Sequence, residues 1–558
     1  MSKIEEFRSF MHEINVDVFV LHTKDEYLNE YSKELTELCG FTGTNGLLIV
    51  TKSNKCPFFT DGRYITQARS QLDQDNFQVY NIQEEDPREW VKANLTLTTS
   101  LGYYLQYFTI EDIRKYENIC KLIPCLAGKK SDYRKQAVVL HSIKYAGESS
   151  KNKCEKVAKS IDKEAEAVLL TDPNSISWLL NSRNENAKYT PCIFGRAILY
   201  KSGNVDLFIQ DKEHSTIEAN LGNHINIFDI SELENSLHKL NSIVIDPNTT
   251  PISIMAVIKD KQVAEREDPC LIYKAVKNQT EIAGAINAHI KDGVAVTNFL
   301  HWLENNVGNG ITELKAEERI LEHRKEQGLF KQPSFPTISA FNENGAIIHY
   351  RASSKTNKVI QKSGLYLIDS GGQYLNGTTD VTRTVVVGNP TNEQITHYTI
   401  VLKAHIAIAS VIFPSGTTGG ELDILARTHL WKFGMDYMHG TGHGVGSYLS
   451  VHEGPQAISK GNKVKLTPGM ILSNEPGYYI PGEYGIRIEN LMYVDRQENS
   501  FLHFKQLTFI PYDRRLIDVQ MLTKDEIEWI NSYHQFVYEN LENSVKDKEW
   551  LKKVCDHL

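Results

Sequence analysis

The chain lacks any stretch approaching the roughly 18 consecutive apolar residues of a membrane span, so no transmembrane helix is expected. Its N-terminus, MSKIEEFRSFMHEI, is charged and lacks the apolar centre of a signal peptide. Cysteine is sparse, eight in 558 residues, and no two form a CxxC pair. That excludes the common thiolate zinc and redox motifs and leaves reduced, structural thiols in a cytoplasmic protein. On that view Asn94-Leu95-Thr96 and Asn376-Gly377-Thr378 match the glycosylation pattern by chance. An excess of cations is missing too: 61 Lys+Arg stand against 70 Asp+Glu, a formal charge of −9. This argues against nucleic-acid binding by phosphate neutralisation. No segment is of low complexity, and 41% hydrophobic with 23% charged residues is ordinary for a globular protein.

The length suggests three domains at about 100–200 residues each. Residues 3–28 read as a charged helix (KIEEFRSFMHEI), an apolar strand (VDVFVLHT) and a polar turn. Residues 153–180 read the same way, with KCEKVAKSIDKEA, EAVLLT and then DPNSISWLL as the turn. Two tandem, related α/β domains are expected, over 1–147 and 148–269, with joints at YAGESS and near Asp268-Pro269-Cys270. A third domain, 270–558, begins with a capping box, Asn278 with Glu281, ahead of a helix. From about 334 short β-rich runs alternate with helical patterns at 391–412 and 419–433, as in an α+β domain. An extension from about 511 ends in one or two amphipathic helices.

Five segments of the third domain set polar residues in apolar surroundings. In Leu365–Gly371 a carboxylate, Asp369, ends an apolar strand, where it needs a metal, a cation or a proton. Asp380 follows eleven residues later, so a hairpin turning near Tyr374–Leu375 would bring the two together. Taken alone, the pair fits a dication site and a set of turn residues or Arg383 partners equally well. His439 and His443 lie in MHGTGHGVG, where four glycines in nine residues forbid a stable helix and imply close backbone approach. His452 lies in VHEGP, after a strand and before a turn. Glu475 follows the apolar run ILSN, and Arg487 and Glu489 share one strand face in YGIRIENL. Singly, each of these reads as a salt bridge or capped turn. Together, two Asp, two Glu and one imidazole suit a pair of oxygen-seeking divalent ions, Mn²⁺ or Co²⁺ ahead of a thiolate-bound Zn²⁺.

The order Asp369, Asp380, His443, Glu475, Glu489 resembles the dinuclear metal set of the pita-bread metallopeptidases, which include Xaa-Pro aminopeptidases, prolidases and methionine aminopeptidases. The resemblance runs through the chain: GFTGTNG and TDGRYITQA, YAGESSKNK, KNQTEIAGAINAHIKDGVA and HFKQLTFIPYDRRLID are similar to the three-domain, eukaryotic-cytosolic type of Xaa-Pro aminopeptidase. It implies two α/β N-terminal domains and a pita-bread α+β catalytic domain. It also implies two divalent ions per chain, Mn²⁺ ahead of Co²⁺ or Zn²⁺. Asp369 would bind one metal, His443 and Glu475 the other, and Asp380 and Glu489 would bridge. His349, His439 and His452 match the family's substrate-handling histidines, and Arg487 would support the ligands from behind. The substrate implied is a peptide with proline in second position, cleaved by a metal-bridging hydroxide with Glu475 moving the proton. A homodimer is implied, with no nucleic-acid or membrane partner. No site position departs from the pattern, which argues against relatives that lack the metal set, such as creatinase and histone-chaperone subunits.

Overall fold

A computed structural model describes residues 2–28, 34–52, 55–127, 135–217 and 221–558. The chain forms two compact units. The first comprises residues 1–140, 148–187 and 192–271, and the second residues 141–147, 188–191 and 272–558.

The first unit holds two six-stranded sheets. In the first sheet the spatial order is Phe77–Asn81, Cys56–Thr60, Leu47–Thr51, Val18–His22, Ser100–Tyr104, Lys121–Cys125. In the second it is Ile225–Asp229, Val205–Ile209, Gly195–Tyr200, Ala167–Leu170, Ser242–Ile245, Gln262–Glu265. Numbered along the chain, both sheets run 4-3-2-1-5-6. Both also share one pattern of pairing, antiparallel at 3-2 and 2-1 and parallel elsewhere. Two sheets with the same order and polarity give the tandem α/β relation that the helix–strand repeat anticipates. One local expectation fails. DPNSISWLL is a helix, Pro173–Leu179, rather than a turn. Asp172 accepts the N–H groups of Asn174 and Ser175, and proline at the first helical position loses no hydrogen bond, so the polar start nucleates a helix.

The second unit contains a 28-residue helix, Gln279–Asn306, whose Asn278–Glu281 capping box is formed. A three-stranded sheet places Gly364–Ser370 between Ile338–Phe341 and Val381–Val387. A six-stranded antiparallel sheet runs Ile412–Pro414, Phe501–Gln506, Asn490–Arg496, Ile471–Asn474, Gly442–Gly444, Glu453–Ile458. Leu422, Ala426 and Leu430 of the helix Gly419–Trp431 pack with Leu472, Met492 and Val494 of that sheet. The C-terminal extension is tied down by Arg383, which is 1% exposed. Its guanidinium donates to the carbonyls of Glu489, Ile510 and Pro511 and to Asn490 Oδ1, and it lies over the Tyr512 ring. No helix among the described residues is long and apolar enough to cross a membrane.

Candidate metal centre

Asp369 is the penultimate residue of Gly364–Ser370, in register with Ile338 on one side and Thr382 on the other. Ser370 pairs with Val381, so Asp380 stands just past the end of the same ladder. The connection between them is not a simple hairpin: Gly372–Tyr374 and Gly377–Thr378 form a separate ladder with Phe330–Pro333. Glu475 and Glu489 occupy equivalent places in the larger sheet, each one residue beyond the Asn474–Asn490 pair. The two sheets meet where the Glu489 N–H donates to the Thr382 carbonyl, 3.2 Å. Arg487 and Glu489 therefore do not share one strand; Arg487 ends Tyr484–Arg487 and Glu489 lies between strands.

His443 is the middle residue of Gly442–Gly444, and its flanking glycines are required by space. A Cβ on Gly442 would sit 1.9 Å from the Ser473 carbonyl oxygen, and one on Gly444 2.1 Å from that of Glu453. His452 precedes the strand Glu453–Ile458 rather than following one, and the register shift between His443 and Gly444 accommodates the loop. Its ring stands edge-on to that of His443, centroids 4.5 Å apart.

Ligand atoms of Asp380, His443 and Glu489 all lie within 4.8 Å of one another. His443 Nε2 is 3.5 Å from Asp380 Oδ2 and 3.5 Å from Glu475 Oε1. Its Nδ1 is 2.9 Å from the Gly444 carbonyl oxygen, so Nε2 is the nitrogen turned to the carboxylates. Asp369 accepts from Arg487 Nη2 at 2.7 Å, and Arg487 also reaches the Ile348 carbonyl beside His349 at 3.4 Å. Arg487 is thus the link that draws Asp369 and the His349 segment together. Arg383 serves carbonyls and does not pair with either aspartate.

Spacing rules point to neither Thr382 nor Tyr479. Thr382 Oγ1 accepts from Arg487 Nε and donates to Glu489 Oε2, 2.8 Å. Tyr479 OH accepts from Arg487 Nη1, 2.8 Å, and stands 2.9 Å from His439 Nε2. Burial pushes the Tyr479 hydroxyl up to about 12, so it keeps its proton. The other nitrogen, His439 Nδ1, lies 2.8 Å from the Gly440 carbonyl oxygen. Both nitrogens of His439 are therefore engaged.

The donors fit a dication. Asp369 Oδ1 and Asp380 Oδ1 are buried with no hydrogen-bond partner. Burial, with Asp369 and Glu475 beside it, drives the Asp380 carboxyl well above the usual carboxylate range. Burial and the charges of Asp380, Glu475 and Asp369 do the same to Glu489. A cluster of carboxylates that repel one another, with lone pairs unclaimed by protein donors, is what divalent cations relieve.

Residues 284–496 match Metallopeptidase family M24, and 500–558 match the C-terminal region of peptidase_M24. Residues 3–127 and 129–281 each match a Creatinase/Prolidase N-terminal domain. Xaa-Pro aminopeptidase 1 of Dictyostelium discoideum is 36% identical, over 100% of this chain and 96% of that protein. The crystal structure of X-prolyl aminopeptidase from Caenorhabditis elegans, described as a cytosolic enzyme with a di-nuclear active site, superposes with a TM-score of 0.93. That match is 28% identical and covers 100% of this chain and 99% of that one. The prolidase of Pyrococcus horikoshii, 27% identical with a TM-score of 0.54, covers 65% of this chain and 99% of its own. With this donor set, this fold and relatives matched from end to end, the chain belongs to metallopeptidase family M24.

Proposed function

We propose that the protein is a cytoplasmic, homodimeric, manganese-dependent aminopeptidase that hydrolyses the N-terminal Xaa-Pro bond of peptides. The observation that carries the reading is the pair of buried, unpartnered oxygens of Asp369 and Asp380, the latter grouped with His443 and Glu489, in a chain matched along its whole length by Xaa-Pro aminopeptidases. Asp369 would hold one ion, His443 and Glu475 the other, with Asp380 and Glu489 shared. Such a pair supplies Lewis acidity and a water acidified to hydroxide near neutral pH.

The chain's own residues then have distinct tasks. Ser473 Oγ donates to Glu475 Oε1 at 3.0 Å, which orients the carboxylate and leaves its second oxygen to take the nucleophile's proton and hand it to the leaving imino nitrogen. His452, edge-on to His443, donates a hydrogen bond to the carbonyl oxygen as negative charge develops there, and His349 assists. His439, its nitrogens engaged, serves as a fixed wall for the proline ring. Arg487 holds Asp369 and, through Thr382, Glu489.

A prolidase would use the same centre but accept only dipeptides. The solved prolidase matches only 65% of this chain, whereas the aminopeptidases match all of it. The deciding measurement is kcat/KM, with and without Mn²⁺, for Arg-Pro-Pro, Arg-Ala-Pro, N-acetylated Arg-Pro-Pro and the dipeptide Arg-Pro. Metal-dependent release of arginine from Arg-Pro-Pro alone is expected. Comparable rates on the alanine or acetylated peptides, or a preference for the dipeptide, would refute the assignment.

A further inference from the structure

Behind the His452 loop a buried carboxylate sits between two buried ammonium groups. Glu453 follows His452 directly and pairs with Gly444, the residue after His443. The side chains of Glu453, Lys274 and Lys277 are 1%, 3% and 1% exposed. Lys277 Nζ donates to Glu453 Oε1 and to the Lys274 carbonyl oxygen, while Lys274 Nζ lies 3.4 Å from Glu453 Oε2. A Cβ on Gly446 would come within 3.1 Å of Glu453 Oε2, so the glycine-rich loop closes directly over this carboxylate. The Lys277 N–H donates to the Gly469 carbonyl, and Asn278 caps the long helix, so the lysines stand on a fixed base.

Stability alone is a poor reason for such a cluster. Taking these charges out of water offsets much of their mutual attraction, and apolar side chains of equal volume commonly pack in such places with no loss. The cluster's place suggests another reason, since its carboxylate is the residue next to a histidine that must be aimed at a reacting carbonyl. We propose that Glu453, gripped by Lys274 and Lys277, is a positioning residue that fixes the depth and orientation of His452 against His443. The inference rests on His452 acting as the oxyanion donor, as set out above. It assigns the entrance to the long helix a task in catalysis that no contact with substrate would reveal.

Removing Glu453 alone would strand two buried cations and could unfold the unit. The test is therefore the charge-free triple variant Lys274→Met, Lys277→Met, Glu453→Leu in the Mn²⁺-loaded enzyme acting on Arg-Pro-Pro. Bound metal should stay at the parent level, KM should stay within about twofold, and kcat should fall about tenfold. In a His452→Ala background the same three changes should alter kcat less than about twofold, because the group they position is gone. Parent-level kcat in the triple variant, or a full tenfold loss in both backgrounds, would overturn the proposal. The same triple variant supplies a second readout through ¹³C–¹H spectra of histidine-labelled, metal-free protein. The His452 ring signal should shift or broaden while that of His439 stays in place; an unmoved His452 signal would also overturn the inference. Should the parent cleave no proline peptide, the assigned activity fails, and this spectrum still judges the positioning role.

Discussion

Glu313 and Asp380 are both buried carboxylates of the second unit, and their surroundings are opposite. Glu313, 0% exposed, collects the N–H groups of Phe341 and Lys358, the Asn344 amide and the Tyr350 hydroxyl, at 2.7–2.9 Å. Every strong lone pair is used, and the segment from Phe341 to Lys358, which carries His349, is gathered around it. Asp380, 4% exposed, keeps Oδ1 without any donor and faces other carboxylates. The contrast separates two uses of the same side chain. A carboxylate filled by protein donors organises backbone, and one denied donors reserves its lone pairs for a cation supplied later.

The largest effects should come from breaking each half of that contrast, with opposite signs on stability. Glu313→Ala leaves several buried donors unmatched and should cost about 3–5 kcal/mol of folding stability, measured by chemical denaturation. Asp380→Asn removes a like charge, so the metal-free protein should be at least as stable as the parent. The same change should cost more in Mn²⁺ affinity than the about 10–100-fold typical for loss of an outer partner, and should abolish turnover. Metal analysis and thermal melts on both variants check this. An Asp380→Asn protein that is strongly destabilised, or that keeps its metal and activity, would erase the distinction.

His452 provides the next test, because its ring lies against that of His443 without its being one of the five proposed ligands. If it donates only as charge develops on the oxyanion, His452→Ala should lower kcat by about 10²–10³ with KM nearly unchanged. Its metal content should equal the parent's. A loss of metal would move it into the ligand set, and an effect confined to KM would make it a binding residue.

The ligand candidates were legible because each lies at a strand end or beside glycines, and those signals survive in one dimension: LYLIDSGG, MHGTGHGVG, ILSNEPG. The strand polarity of the first unit was legible only as a repeat of helix and strand, since sheet order is decided by pairing between distant segments. The supporting links were hidden for the same reason. Arg487 reaches Asp369 across 118 positions and Thr382 across 105, and Glu453 meets Lys277 across 176. The turn reading of DPNSISWLL failed because Asp-Pro starts both turns and helices. Here Ile176 and Leu179, both fully buried, made the helix the better way to cover the core.

The smallest expected effect concerns a third way to carry a titratable group in the interior, which is to shed its charge. His534 is fully buried and accepts the Tyr512 N–H on Nε2 at 3.1 Å. Burial, helped by the charges of Arg514 and Arg383, lowers its pKa from 6.5 to about 3. The unfolded chain therefore binds a proton near pH 6.5 that the folded chain refuses until about pH 3. The stability tied to this residue is complete above pH 6.5 and drains away as pH falls from 6.5 toward 3, by at most about 1.4 kcal/mol per pH unit. His534→Gln keeps an acceptor for Tyr512 but removes the titration. Between pH 7 and 5.5 the metal-free parent should lose about 1 kcal/mol more stability than the variant, read from urea midpoints at the two pH values. Equal losses in both proteins would mean that the imidazole finds a proton acceptor in the folded state. His534 would then be accommodated by partnering, as Glu313 is, and not by neutrality.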